Sequence, residues 1–179
     1  MEHKKQSDEL PWSVPVAVAD IADEGKHVDL VADESARAKI AAAAGLRTLP
    51  KLTASFDLQR QGDGVHVVGL VSARAGQSCV VTLDLVESDV EETVDLDFAP
   101  ASDEDAATAH TSSRKKQDDD PPEPFYGGVI DLGAVATEFL ILGLDPYPRA
   151  PGAAFEPLEE KETGSSPFAA LESLKKRPE

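Results

Sequence analysis

The chain has 179 residues, the length of one ordinary domain with some loose segments, so we expect one domain and not a large multidomain protein. Its 34 acidic residues outnumber its 17 Lys and Arg residues, giving a formal net charge of −17 at pH 7. Because nucleic-acid binding depends on basic residues that neutralise phosphates, this charge argues against RNA or DNA as the main contact and favours a basic protein partner.

The first third of the chain contains one strand pattern and one helix pattern. Valines alternate over Val14–Val18, and this period of two predicts an early strand with one buried face. Asp33 supplies a helix cap, Ala36 and Ile40 follow at helical spacing, and Gly45 ends the pattern. We therefore expect a helix between Asp33 and Gly45.

A period of two returns at residue 52 and predicts a strand, a hairpin turn at Gly62–Gly64, and a second strand over 65–71. Both faces of the second strand are largely apolar, which predicts a central strand covered on two sides. The buried stripe expected for the first strand consists of Leu52, Ala54, Phe56 and Leu58.

A further turn is expected at Ala75–Gln77, followed by two more strands. The apolar stripe of the first would be Cys79, Val81, Leu83 and Leu85, and that of the second Val90, Val94, Leu96 and Phe98. The opposite face of the second strand carries four acids, which we call the acidic ridge: Asp89, Glu91, Asp95 and Asp97. The ridge is either a solvated face or a docking surface for a basic partner.

Large apolar side chains almost disappear after Pro100, so residues 101–124 are expected to form a disordered acidic insert. Order resumes at Asp131, a helix cap that precedes an apolar stripe and a stop at Asp145–Pro148. The stripe predicted for this second helix is Leu132, Val135, Phe139 and Leu142.

These elements predict an α+β fold with two main helices and a small antiparallel sheet, either open or curled into a partly closed barrel. The expected organisation is a flexible start at 1–10, a single domain at 11–150 and a flexible tail at 151–179. A short helix is expected within the tail at 167–175, where a cap and a first-turn proline precede an apolar stripe.

No pattern of chemically active residues stands out. His3, His27, His66 and His110 are far apart and lack metal-ligand spacing, so each is interpreted as a surface or hydrogen-bonded histidine. The single cysteine, Cys79, excludes a disulfide within the chain and is interpreted as a small buried apolar residue. We therefore expect no catalytic residue, no metal and no cofactor.

The basic residues form two short clusters, Arg114–Lys116 and Lys175–Arg177, in segments expected to be mobile. Solubilising tails are the commoner interpretation, and RNA contacts are the alternative. The charged start lacks the apolar core of a signal peptide, and the apolar stretch 132–144 is too short to span a bilayer. Together with one unpaired cysteine, these features predict a cytoplasmic protein that contacts no membrane.

Several segments, taken in order, resemble the YceD-like family, which is named for accumulation of large-subunit ribosomal RNA. The resemblance covers about residues 60 to 175. It rests on 68–86, on the strand ending at Phe98 with its acidic insert, on the second helix with its proline-rich exit, and on 167–175. The residues that carry the family signature are Cys79, Thr82, Leu83, Asp131, Leu132, Glu138, Pro146 and Pro148. Thr82 stands where many members have a second cysteine, so a metal or redox role for that pair cannot operate here.

The resemblance implies a cytosolic bacterial protein that promotes accumulation of large-subunit 23S ribosomal RNA by processing or assembly. Combined with the charge, it leads us to expect a non-enzymatic factor whose acidic ridge binds a basic ribosomal protein or a large-subunit precursor particle. The alternative is direct binding of ribosomal RNA by a sheet edge and the basic tail. A nuclease acting on precursor RNA lacks support, because no metal-ligand cluster is evident.

Overall fold

A computed structural model describes residues 10–101 and 122–155. The insert expected at 101–124 therefore lies outside the described residues, except for 101 and 122–124. The helix expected at 167–175 lies wholly outside them. The described elements, in chain order, are β1 (Pro15–Ala17), a 3-10 turn (Val18–Asp20), β2 (Lys26–Val31), α1 (Glu34–Ala43), β3 (Thr48–Gln61), β4 (Gly64–Ser78), β5 (Leu85–Pro100), β6 (Glu123–Phe125), β7 (Val129–Asp131) and α2 (Leu132–Leu142).

The main sheet has five strands in the order β2-β3-β4-β5-β6 and is open. Its first three pairings are antiparallel, whereas β6 lies parallel to the last three residues of β5. A separate antiparallel pair joins β1 to β7. The predicted α+β class is confirmed, and of the two sheet forms left open by the sequence, the open one is present.

One face of the main sheet carries the hydrophobic core. Phe56 on β3 and Val67 on β4 have no exposed surface, and they share the core with Ile40 of α1 and Leu132 and Leu140 of α2. Contact with water is therefore removed from one side of the sheet, and this burial is the main source of stability. The stripe predicted for β3, from Leu52 to Leu58, is confirmed as buried.

Both helix starts follow their predicted caps. The Asp33 carboxylate accepts a hydrogen bond from the Ala36 backbone N–H at 2.7 Å, and α1 begins at the next residue, Glu34. Gly45, just after α1, has a φ of +67°, a conformation that glycine adopts without steric cost.

The expectation that the second hairpin strand is covered on two sides was wrong. Val65, Val67 and Val71 are buried on the core face of β4, but Val68 and Leu70 on the other face are 36% and 43% exposed. No described element packs over that side of β4, so its apolar residues remain in contact with water.

The turn expected at Ala75–Gln77 was also wrong. β4 continues through Gly76 to Ser78, and residues 79–84 form the connection to β5, so two long strands replace the three short ones expected after the first hairpin turn. A Cβ on Gly76 would press against the Thr48 side chain, which shows that this glycine allows close packing of two strands. Leu83 was expected on a strand stripe, but it has a φ of +63° and is 71% exposed.

The buried face of α2 matches the predicted one at Leu132, Val135 and Phe139 but not at Leu142. Leu142 is 70% exposed and Phe139 is only partly buried, whereas Ala136 and Leu140 join Leu132 in the core. The reason is that α2 also packs its small residues tightly. A Cβ on Gly133 would lie 2.9 Å from the Trp12 carbonyl oxygen, so the backbone before β1 occupies this side of the helix.

We predict that Gly69→Ala destabilises the protein by about 1–3 kcal/mol, the usual cost of overpacking a core. Gly69 lies opposite Phe56 across β3 and β4, and an added Cβ would lie 2.5 Å from the Phe56 ring. Urea unfolding measures the change. Leu70→Ala is the control, because the Leu70 side chain lies on the exposed side of the same strand. Equal stability of Gly69→Ala and the native protein would contradict the packing described here.

Candidate partner-binding face

Alternate residues of the long strands project from the side of the sheet opposite the core, and we call this surface the outer face. It is open to solvent among the described residues. From β3 to β5 it consists of Lys51, Thr53, Ser55, Asp57, Gln59, His66, Val68, Leu70, Ser72, Arg74, Asp89, Glu91, Thr93, Asp95 and Asp97.

The acidic ridge lies along the β5 side of the outer face. The side chains of Asp89, Asp95 and Asp97 are 74%, 80% and 64% exposed, and Glu91 is exposed as well. Val90 and Val94, which alternate with them, are buried in the core. The pattern read from the sequence thus puts the four carboxylates on one exposed strand face, although what they bind remains a proposal.

Basic side chains on β4 contact both ends of the ridge. The Arg74 guanidinium lies 3.3 Å from Asp89 and 3.2 Å from Glu87, because Arg74 and Asp89 are paired in the register of β4 and β5. At the other end, His66 Nδ1 lies 2.8 Å from Asp97. Exposed pairs of this kind contribute little stability, so we regard them as positioning the carboxylates.

A second histidine cluster was not foreseen from the sequence. His27 on β2 lies 2.7 Å from Asp57 through Nδ1 and 3.3 Å from Asp29 through Nε2. The hydrogen bond to Asp57 is the main cause that raises the pKa of His27 above its ordinary 6.5. Ser55 is the main cause that lowers the pKa of Asp29. The alternation of His27, Val28, Asp29 and Leu30 is a signal that could have found this strand, but it spans only four residues, and the strand that carries His27 was not predicted.

An apolar strip separates the two acidic sides of the outer face. Val68 is opposite Asp57 on β3 and Asp95 on β5, and Leu70 is opposite Ser55 and Thr93. The strip is partly exposed, so the outer face offers an apolar contact flanked by negative charge. Protein surfaces that bind partners commonly combine apolar and charged contacts in this way.

Cys79 is buried, as expected, but in the loop between β4 and β5 and not on a strand. Its sulfur accepts backbone hydrogen bonds from Ala150 at 3.3 Å and from Val81 and Thr82 at 3.4 Å. These donors, with Ala150 first, lower the pKa of Cys79 to about 6, against the opposing effect of burial. The sulfur thus ties the residues after α2 to the β4–β5 loop.

Asp131 has a comparable structural role at the start of α2. Its Oδ1 accepts hydrogen bonds from Val14 at 2.8 Å, Gly133 at 3.0 Å and Ala134 at 3.1 Å, and its Oδ2 accepts one from Ser13 at 2.5 Å. One carboxylate thereby caps the helix and fixes the chain that enters β1.

The other signature residues divide between packing and exposure. Leu132 is fully buried, and Pro148 is buried and accepts a hydrogen bond from the Val80 N–H at 2.9 Å. Glu138, Pro146 and Thr82 are exposed. The signature residues therefore do not converge on one pocket.

Within 10–101 and 122–155, no group of three or more His, Cys, Asp or Glu side chains is arranged to hold a metal ion. In the same ranges, no helix has the length and apolarity that crossing a bilayer requires. The basic clusters considered as RNA contacts, Arg114–Lys116 and Lys175–Arg177, lie outside the described residues.

The fold and the outer face define a small α+β protein built on an open sheet with one acidic, solvent-facing side. Residues 67–175 match the model of a family described as large ribosomal RNA subunit accumulation protein YceD, and the chain belongs to this family. The family is named for an accumulation factor and not for an enzyme. No curated protein and no solved structure matches the chain. The match begins within β4, so β1, β2, α1 and β3 precede it.

We predict that Asp57→Asn lowers the pKa of His27 towards 6.5, because it weakens the hydrogen bond that is the main cause of the raised pKa and removes the charge that stabilises the imidazolium. NMR titration of the His27 ring protons measures this pKa. In the native protein the Asp57 interaction stabilises the fold at pH values below 6.5, and this contribution is lost as the pH rises through the raised pKa. Asp29→Asn is the control and should have a smaller effect. A native pKa at or below 6.5 would refute the interaction.

We predict that the Cys79 thiol ionises with a midpoint near pH 6 in the folded protein. Thiolate ultraviolet absorbance measures this directly, because the chain has one cysteine. Ala150→Pro should raise the midpoint, since proline lacks the N–H that Ala150 donates to the sulfur. Protein unfolded in urea is the control, with an expected midpoint of about 8.5. A folded midpoint equal to the unfolded one would show that the donors do not act on the sulfur.

Proposed function

We propose that the protein promotes accumulation of large-subunit 23S ribosomal RNA in the bacterial cytoplasm as a non-enzymatic factor. In this proposal it acts by binding a basic ribosomal protein, free or within a large-subunit precursor particle. Family membership supports the process, and the net charge of −17 supports the kind of partner. The observation that carries the binding mode is the acidic ridge, four exposed carboxylates on one strand of an open sheet face.

The charge distribution supports a protein partner over RNA. Between residues 61 and 100 there are eight acids and one Lys or Arg, Arg74, which already contacts Glu87 and Asp89. A phosphate chain crossing this surface would meet like charge, whereas a lysine- or arginine-rich segment would be attracted from a distance. Such attraction raises the association rate and weakens as salt shortens the Debye length from about 10 Å at 0.1 M.

Binding by this face has a simple role in assembly. Ribosomal proteins that are not yet on RNA expose basic surfaces that associate non-specifically with polyanions. An acidic partner that covers such a surface keeps it available until RNA, with its higher density of negative charge, displaces the partner. The proposed function therefore needs reversible, salt-sensitive binding and no bond-breaking chemistry.

We predict that neutralising the acidic ridge by Asp89→Asn, Glu91→Gln, Asp95→Asn and Asp97→Asn reduces capture of ribosomal proteins from lysate at low salt by at least about tenfold. Pull-down at low and moderate salt, followed by mass spectrometry, measures the effect. The matched control neutralises four exposed acids that lie outside the β-strands, Asp20, Asp23, Glu34 and Asp84, and changes the net charge equally.

Complementation links this binding to the cellular role. Cells depleted of the native protein should show a selective deficit of large subunits in sucrose gradients, which the control variant corrects and the ridge variant does not. If both variants capture ribosomal proteins equally and both restore large subunits, the ridge is not the binding surface. If the native protein captures no ribosomal protein or particle, the proposed function itself is wrong.

A further inference from the structure

The long edge of β5 is mostly unpaired among the described residues. β5 has 16 residues and pairs with β4 on one side from Leu85 to Phe98. On its other side it pairs only with β6, through Phe98, Ala99 and Pro100. No described backbone group outside the sheets hydrogen-bonds to residues 85–97. This leaves a row of backbone donors and acceptors along most of the strand.

The register shows which residues direct their backbone groups to this edge. The Gly76 carbonyl accepts a hydrogen bond from Arg47 on the β3 side, so Gly76 and its partner Glu87 form a pair without mutual hydrogen bonds. Glu87 therefore points its N–H and C=O away from β4. Ala101, just beyond the strand, donates its N–H to Phe125 after β6 on the same side.

The alternation continues without a register shift between these two points. The residues whose backbone groups face the unpaired edge are thus the odd-numbered ones: Glu87, Asp89, Glu91, Thr93, Asp95 and Asp97. All four members of the acidic ridge belong to this set. The same residues offer backbone hydrogen bonds at the edge and carboxylates on the outer face.

An unpaired strand edge is a template for another strand, and charged side chains restrict what can pair there. A second copy of this chain would place acids opposite acids, which is destabilising for directly opposed residues. An extended segment with Lys or Arg at alternate positions would instead place a cation opposite each carboxylate. The edge also already receives a strand, because β6 pairs with it at one end.

We propose that an extended basic segment of the partner protein adds as a strand to the β5 edge, next to residues 87–97. Backbone hydrogen bonds hold the segment, and alternate Lys or Arg side chains on the outer face contact the acidic ridge. This mode is strand addition, in which main-chain bonds contribute affinity and alternate side chains contribute specificity. The inference rests on the proposed function, because it specifies how the basic partner is held.

The substitution Thr93→Pro removes a backbone N–H from the β5 edge without changing the charge, so it tests strand pairing separately from electrostatic attraction. Thr93 is exposed at the centre of the ridge, carries no charge and directs its N–H to the unpaired edge, where proline is tolerated within a strand. Its matched control is Thr93→Val, which removes the same hydroxyl but keeps the N–H. Circular dichroism and urea unfolding establish that both variants are folded before binding is compared.

The probe is a synthetic peptide of about ten residues, the length of an ordinary strand, with alternating Lys and Thr. Fluorescence anisotropy with the full-length protein at low salt measures its affinity. We expect Thr93→Pro to bind at least about tenfold more weakly than Thr93→Val, because it loses edge hydrogen bonds. Equal affinity of the two folded variants would overturn strand addition and leave binding by charge alone.

Two N-methylated peptides repeat this test without altering the protein. One carries methyl groups on the backbone nitrogens of its lysines, and the other on those of its threonines, so both keep the same charge. A strand added at one edge directs alternate N–H groups to β5, so one peptide should lose at least about tenfold in affinity and the other should not. Equal affinities for both would also overturn the inference.

Amide hydrogen exchange identifies the occupant of the edge. Peptide binding should slow exchange at Asp89, Glu91, Thr93 and Asp95 and leave Val90 and Val94, which pair with β4, unchanged. If the odd-numbered amides are already protected in the free full-length protein, a segment of the chain itself or a second copy occupies the edge, and the inference is wrong. If the native protein binds neither the peptide nor any ribosomal protein, both the inference and the proposed function are wrong.

Discussion

The structure depends on burying one side of a sheet whose strands are unusually long. β3, β4 and β5 each have at least 14 residues, and over most of their length the side chains alternate between the core and the outer face, except at a register shift between Thr48 and Lys51 in β3. Because α1 and α2 share their core with one side of the sheet, that side carries the stability. The outer face is then free to hold polar and charged residues with little effect on folding, which allows four carboxylates to stand on one strand.

Two sets of hydrogen bonds, accepted by Asp131 and by the Cys79 sulfur, fix the position of α2 and its neighbouring segments. Asp131 joins α2 to the chain entering β1, and the Cys79 sulfur joins the residues after α2 to the β4–β5 loop. Both residues belong to the family signature, and both act by accepting several backbone N–H groups that would otherwise lack partners. Their roles are structural within the described residues, while the acidic ridge lies on a different part of the surface.

The parts of this arrangement that could be predicted were those with a local physical cause. Asp33 and Asp131 indicate helix starts, because a side-chain cap depends only on the next few residues. The segment Leu52–Leu58 indicates a strand, because its period of two is unbroken. The acidic ridge followed from the same alternation. What failed depended on tertiary context: Gly76 marks close packing with Thr48 and not a turn, and α2 also buries Gly133, which packs against the backbone of Trp12. The His27 cluster arises only when β2 pairs with β3.

The pairing of β1 with β7 joins residues that are more than a hundred positions apart, for example Val16 with Ile130. Contacts of such sequence separation form late, because the chain between them must first be closed into a loop at an entropic cost. During synthesis, β1 therefore has no partner until β7, residues 129–131, has left the ribosome. The hairpins of the main sheet can assemble earlier, so we expect β1 to dock against the start of α2 late in folding.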